Sequence, residues 1–160
     1  MFKINALLIV LLVFTFGCSK ETRKEYYPNG KLKSSCEYNK EGLLDGTCKK
    51  YSVDGYLQTE ESYKNNVLWG KSIFYDSKGK LKIEATYKDE KQDGSYKEYH
   101  ENGKLKIEAT YKDGKTNGSV KMYHENGELF IEQEYKDGKE NGVMKTYHDN
   151  DLPQKKWTRG

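Results

Sequence analysis

The sequence predicts an all-β protein, an elongated single-layer antiparallel β-meander of about five 24-residue hairpin repeats. Three observations carry that expectation. The eleven-residue stretch GKLKIEATYKD stands at residues 79–89 and returns unchanged at 103–113, and self-similarity at a fixed interval of this size marks a repeat architecture. Within it, Leu105, Ile107, Ala109 and Tyr111 alternate with Lys106, Glu108, Thr110 and Lys112, the period of a half-buried strand. Asp-Gly and Asn-Gly pairs then interrupt the alternation where tight hairpins need positive φ.

Taken in chain order, residues 1–17 come first and differ in kind from the rest. One early lysine, Lys3, precedes an apolar run from Ala6 to Phe16 that is short for a membrane-spanning helix and has the layout of a secretory signal. Gly17 and Cys18 follow, and the stretch TFGC resembles a bacterial lipobox, which implies that Cys18 is acylated and becomes the mature N-terminus. Ser19 after the cysteine implies, by the same resemblance, the outer membrane. Residues 18–25 are expected to be a short charged tether.

Five repeat units fill residues 26–152. Gly30, Gly55, Gly79, Gly103 and Gly127 each precede a leucine by two residues and a tyrosine by eight, namely Tyr38, Tyr63, Tyr87, Tyr111 and Tyr135. A second glycine, Gly46, Gly70, Gly94, Gly118 and Gly142, precedes another tyrosine by five: Tyr51, Tyr75, Tyr99, Tyr123 and Tyr147. A type I′ turn at Asp113-Gly114 sets Lys112 opposite Lys115, Ile107 opposite Val120 and Leu105 opposite Met122. The next turn, at Asn102-Gly103, sets His100 opposite Leu105 and Glu98 opposite Ile107. Both registers put the same residues on the same face, and two strands per unit give about ten strands. Tyr63, Tyr87, Tyr111 and Tyr135 then share the Leu/Ile face, while Tyr75, Tyr99, Tyr123 and Tyr147 lie on the lysine-rich and glutamate-rich face. A bulge before the second tyrosine would exchange its face.

Residues 153–160 form the tail. Asp151 replaces the turn glycine, and Pro153, which cannot donate to a ladder, suits an edge strand. Trp157 is expected to fold over the terminal hairpin as a cap.

The pattern YKDGKxNGxxKxYHENG resembles the MORN repeat, and more closely the bacterial MORN-variant repeat of YwqK-type, antitoxin-like proteins, over residues 26 to about 150. The resemblance implies a two-stranded glycine and aromatic unit. It departs from the usual unit in having Tyr87, Tyr111 and Tyr135 where tryptophan is common, and Tyr96, Val120 and Met144 in place of a second glycine.

Composition narrows the function classes. Hydrophobic residues make up 34% and charged residues 33%, values that fit a thin repeat sheet because the apolar residues are periodic. Residues 1–17 hold Lys3 and no acid, so the remainder carries 27 basic and 25 acidic residues, interleaved, and offers no cationic stripe for nucleic acid. His100, His124 and His148 occupy one repeat position and stand too far apart to converge on a metal. No nucleophile has a nearby base, and DGKTNGS is followed by no helical pattern, so it reads as a hairpin and not a phosphate loop. Neither enzyme activity nor a cofactor is expected.

With Cys18 assigned to lipid, Cys36 and Cys48 lie on the two strands of the first unit and are expected to bridge in an oxidising compartment. Two function classes survive: an envelope-anchored lipoprotein whose sheet binds a protein or glycan, or an immunity protein that neutralises one toxin. A monomer is expected. Tyr75, Tyr99 and Tyr123 are the expected central contact row, with Lys82, Lys106 and Glu108 as its rim, because tyrosine joins contact area to low side-chain entropy.

Overall fold

The computed structural model describes residues 20–147 and 153–157, and every regular element in them is a β-strand. The first half contains β1 (Glu21–Tyr26), β2 (Leu32–Tyr38), β3 (Leu44–Tyr51), β4 (Leu57–Lys64), β5 (Val67–Tyr75), β6 (Leu81–Lys88) and β7 (Lys91–Tyr99). The second half contains β8 (Leu105–Lys112), β9 (Lys115–Thr116), β10 (Gly118–Tyr123), β11 (Leu129–Lys136), β12 (Lys139–Glu140), β13 (Met144–Tyr147) and β14 (Pro153–Trp157). All belong to one 14-stranded antiparallel sheet laid out in chain order, in which β9 and β12 are short lead-ins to β10 and β13. Consecutive strands are neighbours throughout, so the fold is the expected meander.

Two findings correct the expected bounds. Residues 21–25, expected in a tether, are already in the sheet, with Glu21 opposite Tyr38 and Arg23 opposite Cys36. Aligned on its glycine, ETRKEYYPNG matches GSYKEYHENG, so β1 is equivalent to β7, the strand that carries the second tyrosine of its unit. Arg23 secures it, its guanidinium 4.3 Å from the Tyr38 ring centroid and 3.2 Å from the Glu21 carboxylate. At the other end Pro153 stands opposite Tyr147 in β14, the terminal strand of the sheet order. The count therefore exceeds the ten strands expected. The capping role expected of the Trp157 side chain, and the roles of residues 1–17, Cys18 and His148, lie outside the described residues.

The hairpin turns follow from local chemistry. Asp113 (φ 51) and Gly114 (φ 79) both lie in the left-handed region, as a type I′ turn requires, and Lys112 pairs with Lys115. Farther out, Ile107 stands opposite Met122 and not Val120. The displacement comes from a bulge at Asn117 and Gly118, where the Asn117 N–H donates to the Thr110 carbonyl at 2.8 Å. Because the shift is two residues, it leaves every side chain on its face.

The second connection differs more. His100 N–H donates to the Lys104 carbonyl (2.8 Å) and Gly103 N–H to that of His100 (2.9 Å), a turn one residue longer than Asn102-Gly103 alone would make. Glu98 does face Ile107, but Tyr99 and not His100 faces Leu105, which leaves Lys106 as an extra, bulged residue. Cα partners share a face. Leu105 thus joins Tyr99, away from Ile107, while Lys106 turns to Glu98 at 2.6 Å on the Ile107 side.

A single sheet has no second layer to bury its apolar face, so the core is a line of small side chains. Cross-strand pairing sets Cys36, Cys48, Glu61, Ser72, Ala85, Tyr96 and Ala109 side by side. Of these Cys36, Cys48, Ser72, Ala85 and Ala109 are buried, and Gln133 is buried farther along. Larger rings flank them, as where Tyr96 meets Tyr111 edge-on with centroids 5.9 Å apart. A disulfide joins Cys36 to Cys48, whose Cα atoms are 4.0 Å apart.

Successive units are also stitched through their turns. Along one margin the second turn residue donates to a carbonyl 22 residues earlier, Asn66 to Leu44, Glu90 to Leu68, Gly114 to Gln92 and Gly138 to Thr116, at 2.8–3.1 Å. Along the other, side chains reach forward: His100 Nε2–H to the Tyr123 carbonyl (2.8 Å), Asn102 Nδ2 to Glu125 (2.6 Å) and Lys104 Nζ to Asn126 (2.7 Å). Tyr27, Asn29 and Lys31 do the same to Tyr51, Val53 and Asp54. The histidine and asparagine of YHENGK at 99–104 thus serve turn stacking, whereas Asn126 of the next unit donates to Glu128 within its own turn.

Candidate interaction surface

The polar face carries one residue per strand in a continuous cross-sheet row. Lys49, Glu60, Ile73, Glu84, Lys97, Glu108, Lys121, Glu132 and Lys145 stand in register, opposite charges adjacent except at Ile73. Lys49 approaches Glu60 at 3.3 Å, Lys97 approaches Glu108 at 3.8 Å, and Glu132 receives Lys145 at 2.9 Å and Lys121 at 3.9 Å. The Lys145 hydrogen bond, above all, holds the Glu132 carboxyl below its ordinary range. Solvent reaches and screens these pairs, so their larger effect is to fix which group points where.

The second tyrosine of the unit lies on this face, and in three units it binds back to a glutamate of the row. Tyr99 donates its hydroxyl to Glu84 (3.0 Å), Tyr123 to Glu108 (3.5 Å) and Tyr147 to Glu132 (3.3 Å), each glutamate 15 residues earlier. Burial, followed by the neighbouring glutamates, pushes the Tyr75, Tyr99 and Tyr123 hydroxyls above the usual phenol range. All three rings remain half-exposed. The structure therefore brings Tyr75, Tyr99 and Tyr123 onto one face at a spacing of roughly 9.5 Å, two strand widths.

The expected rim is only partly there. Glu108 sits within the tyrosine row and not at its edge. Lys106 belongs to the other face, carried there by the bulge, where its ammonium meets Glu98. Lys82 is the extra residue of the same bulge on β6, between Leu81 opposite Tyr75 and Ile83 opposite Phe74, and it lines a shallow recess of about 100 Å³ together with Leu81, Tyr99 and His100. Among the described residues no group of three His, Cys, Asp or Glu side chains could hold a metal.

On the opposite face two tyrosines are more strongly perturbed. Burial, and then the charge and hydrogen bond of Glu61 or Glu98, pushes Tyr63 and Tyr96 up to about 12. A folded value raised above 10 means that the neutral rings stabilise the sheet fully below about pH 10 and lose that contribution as pH rises through about 12. In an ultraviolet titration Tyr63 and Tyr96 should ionise last, together with unfolding. A single ionisation step near pH 10 for every tyrosine, Tyr63→Phe and Tyr96→Phe variants included, would contradict the packing described.

Sequence reasoning missed Trp69 and Ile73 on β5. Trp69 stands where the other units have Asp45, Asp93, Asn117 and Asn141, and Ile73 where they have Lys49, Lys97, Lys121 and Lys145. The signal was present as a departure from the repeat.

Fold and surface together define a repeat-sheet protein, a one-layer array of hairpins that presents the same side chains at fixed intervals. The family model described as MORN repeat variant matches residues 22–40, 70–89, 92–113 and 116–137, just over half of the chain, and the chain belongs to that family. Each matched segment spans two adjacent strands and the turn between them, and the first of them covers β1 and β2. No curated protein matches the chain.

Proposed function

We propose that the chain is an interaction scaffold anchored to the bacterial cell envelope through lipid on Cys18, and that it uses the polar face of its sheet to hold a protein partner. The observation that carries this reading is the row of half-exposed tyrosines, Tyr75, Tyr99 and Tyr123, of which Tyr99 and Tyr123 are held by the glutamates behind them. Aromatic side chains held in place lose little entropy on binding, and central contact residues commonly contribute 2 kcal/mol or more. The test is crosslinking from intact cells with partner identification, repeated with Tyr99→Ser/Tyr123→Ser. Capture should be lost at a temperature where circular dichroism shows the variant folded; undiminished capture would remove these tyrosines from the interface.

The anchor has its own test. A lipidated cysteine gains about 0.8 kcal/mol per buried methylene, so the mature protein should fractionate with membranes, resist salt and dissolve in detergent. Cys18→Ser should leave a precursor of unprocessed size. Normal processing of that variant would overturn lipid anchoring.

The alternative, an immunity protein of the YwqK-type, antitoxin-like kind, draws on resemblance. It would gain support from a toxin-like reading frame beside the gene and from rescue of cells that express that toxin.

A further inference from the structure

The polar face departs from its own repeat on β5, at Ile73 and more conspicuously at Trp69. On β5 the unit places Trp69 where its neighbours place aspartate or asparagine, and the indole is 37% exposed. The two strands that flank β5 each send a lysine to it. Lys64, at the end of β4, holds its ammonium 5.1 Å from the indole centroid, and Lys88, at the end of β6, holds its own at 5.8 Å. Both lysines are exposed and neither makes an ion pair within 4.0 Å among the described residues. Asp45 on β3, whose carboxyl also feels the Lys64 charge, is bonded to Lys20 at 2.7 Å. The arrangement is a flat aromatic floor between two cations whose strands lie roughly 9.5 Å apart.

We propose that Trp69, Lys64 and Lys88 form a binding site for a carboxylate-bearing pyranose within a polysaccharide. The C–H face of a sugar ring lies against the indole, and its carboxylate draws the two ammoniums off the aromatic face and onto itself. A charge-assisted contact to a carboxylate is stronger than an exposed cation–π contact, so the exchange favours the bound state. Three features of the surroundings select this ligand over other anions. β5 is interior to the sheet with both edges paired, so it offers no free backbone to grip an extended peptide. The cross-sheet row alternates lysine with glutamate, so no line of cations continues from Trp69 to follow a phosphate backbone. A bilayer would have to cover that same row of carboxylates, which would lose their water. A single charged ring asks only for the floor and the two cations.

The proposal rests on the reading of the chain as an interaction module and adds a ligand class and a second site to it. The two fail separately, because Tyr99→Ser/Tyr123→Ser and Cys18→Ser leave Trp69 untouched. The chain has two tryptophans, so in the full chain bearing Trp157→Phe the emission reports Trp69 alone. The probes are oligomers of galacturonate, glucuronate and sialate, each beside its carboxyl-reduced counterpart, with phosphatidylglycerol vesicles and a single-stranded oligonucleotide as competing anions. A saturable change in Trp69 emission is expected with at least one carboxylated oligomer. Affinity should fall roughly tenfold with the reduced oligomer and again in Lys64→Gln/Lys88→Gln. Trp69→Asp supplies the residue found in neighbouring units, so it should fold normally while its binding heat in calorimetry disappears. Silence toward every carboxylated oligomer would overturn the proposal, as would an equal response to the reduced oligomers, the vesicles or the oligonucleotide.

Discussion

Gly94→Val is expected to destabilise the sheet by about 3 kcal/mol, the combined scale of a strained backbone and an overpacked contact. Gly94 has φ +119, a conformation that L side chains rarely adopt, and a Cβ built there would lie 3.0 Å from the Thr86 Cβ. The residue sits at the bulge between the Ala85–Tyr96 and Tyr87–Gln92 pairs, where the strand departs from plain pleating. Denaturant melts of Gly94→Val and of Gly94→Ala/Thr86→Gly separate the two causes. The double variant removes the close approach but not the strain, so it should recover only part of the loss. An unchanged midpoint in Gly94→Val would mean that the bulge lies elsewhere.

The second large effect belongs to the disulfide. Cys36 and Cys48 are separated by 12 residues, and closing a loop of that size restricts the unfolded chain by about 3 kcal/mol. Both sulfur-bearing residues are buried, 7% and 3% exposed, so Cys36→Ser/Cys48→Ser also places two hydroxyls in the small-residue line of the core. In a sheet whose units touch only their neighbours, the loss should be local. Hydrogen exchange should quicken in β2 and β3 while β7 and β8 keep their protection. Uniform acceleration along the chain would show that the sheet melts as one body, and an unchanged pattern would show that the bridge adds no stability.

Much of the architecture was legible because a repeat writes the same instruction several times. Asp113-Gly114 names its turn, and the alternation from Ile107 to Tyr111 names its faces, so the tyrosine rows fell on the sides expected. What escaped were the bulges. A two-residue shift at Asn117-Gly118 preserves parity and leaves no trace in a hydrophobic pattern, although a glycine recurring in mid-strand was a signal of it. The one-residue bulge at Lys106 does alter faces, and it moved both Lys106 and Leu105. β1 was missed because ETRKEY lacks the glycine that opens the equivalent strand GSYKEY and reads as a charged segment. At the candidate surface the rings were placed but their anchors were not. The 15-residue separation of Tyr99 from Glu84 spans one turn and a bulge, and only the folded register brings the two together. Trp69 was overlooked for the opposite reason: attention to what repeats passes over what does not.

The stitches between turns bear on valency. Each runs from one period to the next through chemically equivalent atoms, from Glu90 to Leu68 and then from Gly114 to Gln92. A cut and rejoin one period apart, between Gly79 and Gly103 or between Gly103 and Gly127, brings like to like and leaves every remaining stitch with a partner. Chain length thereby acts as a dial on the number of identical contact points. A partner that engages several of them at once would feel each added unit as a rise in effective concentration, with no change in any single contact.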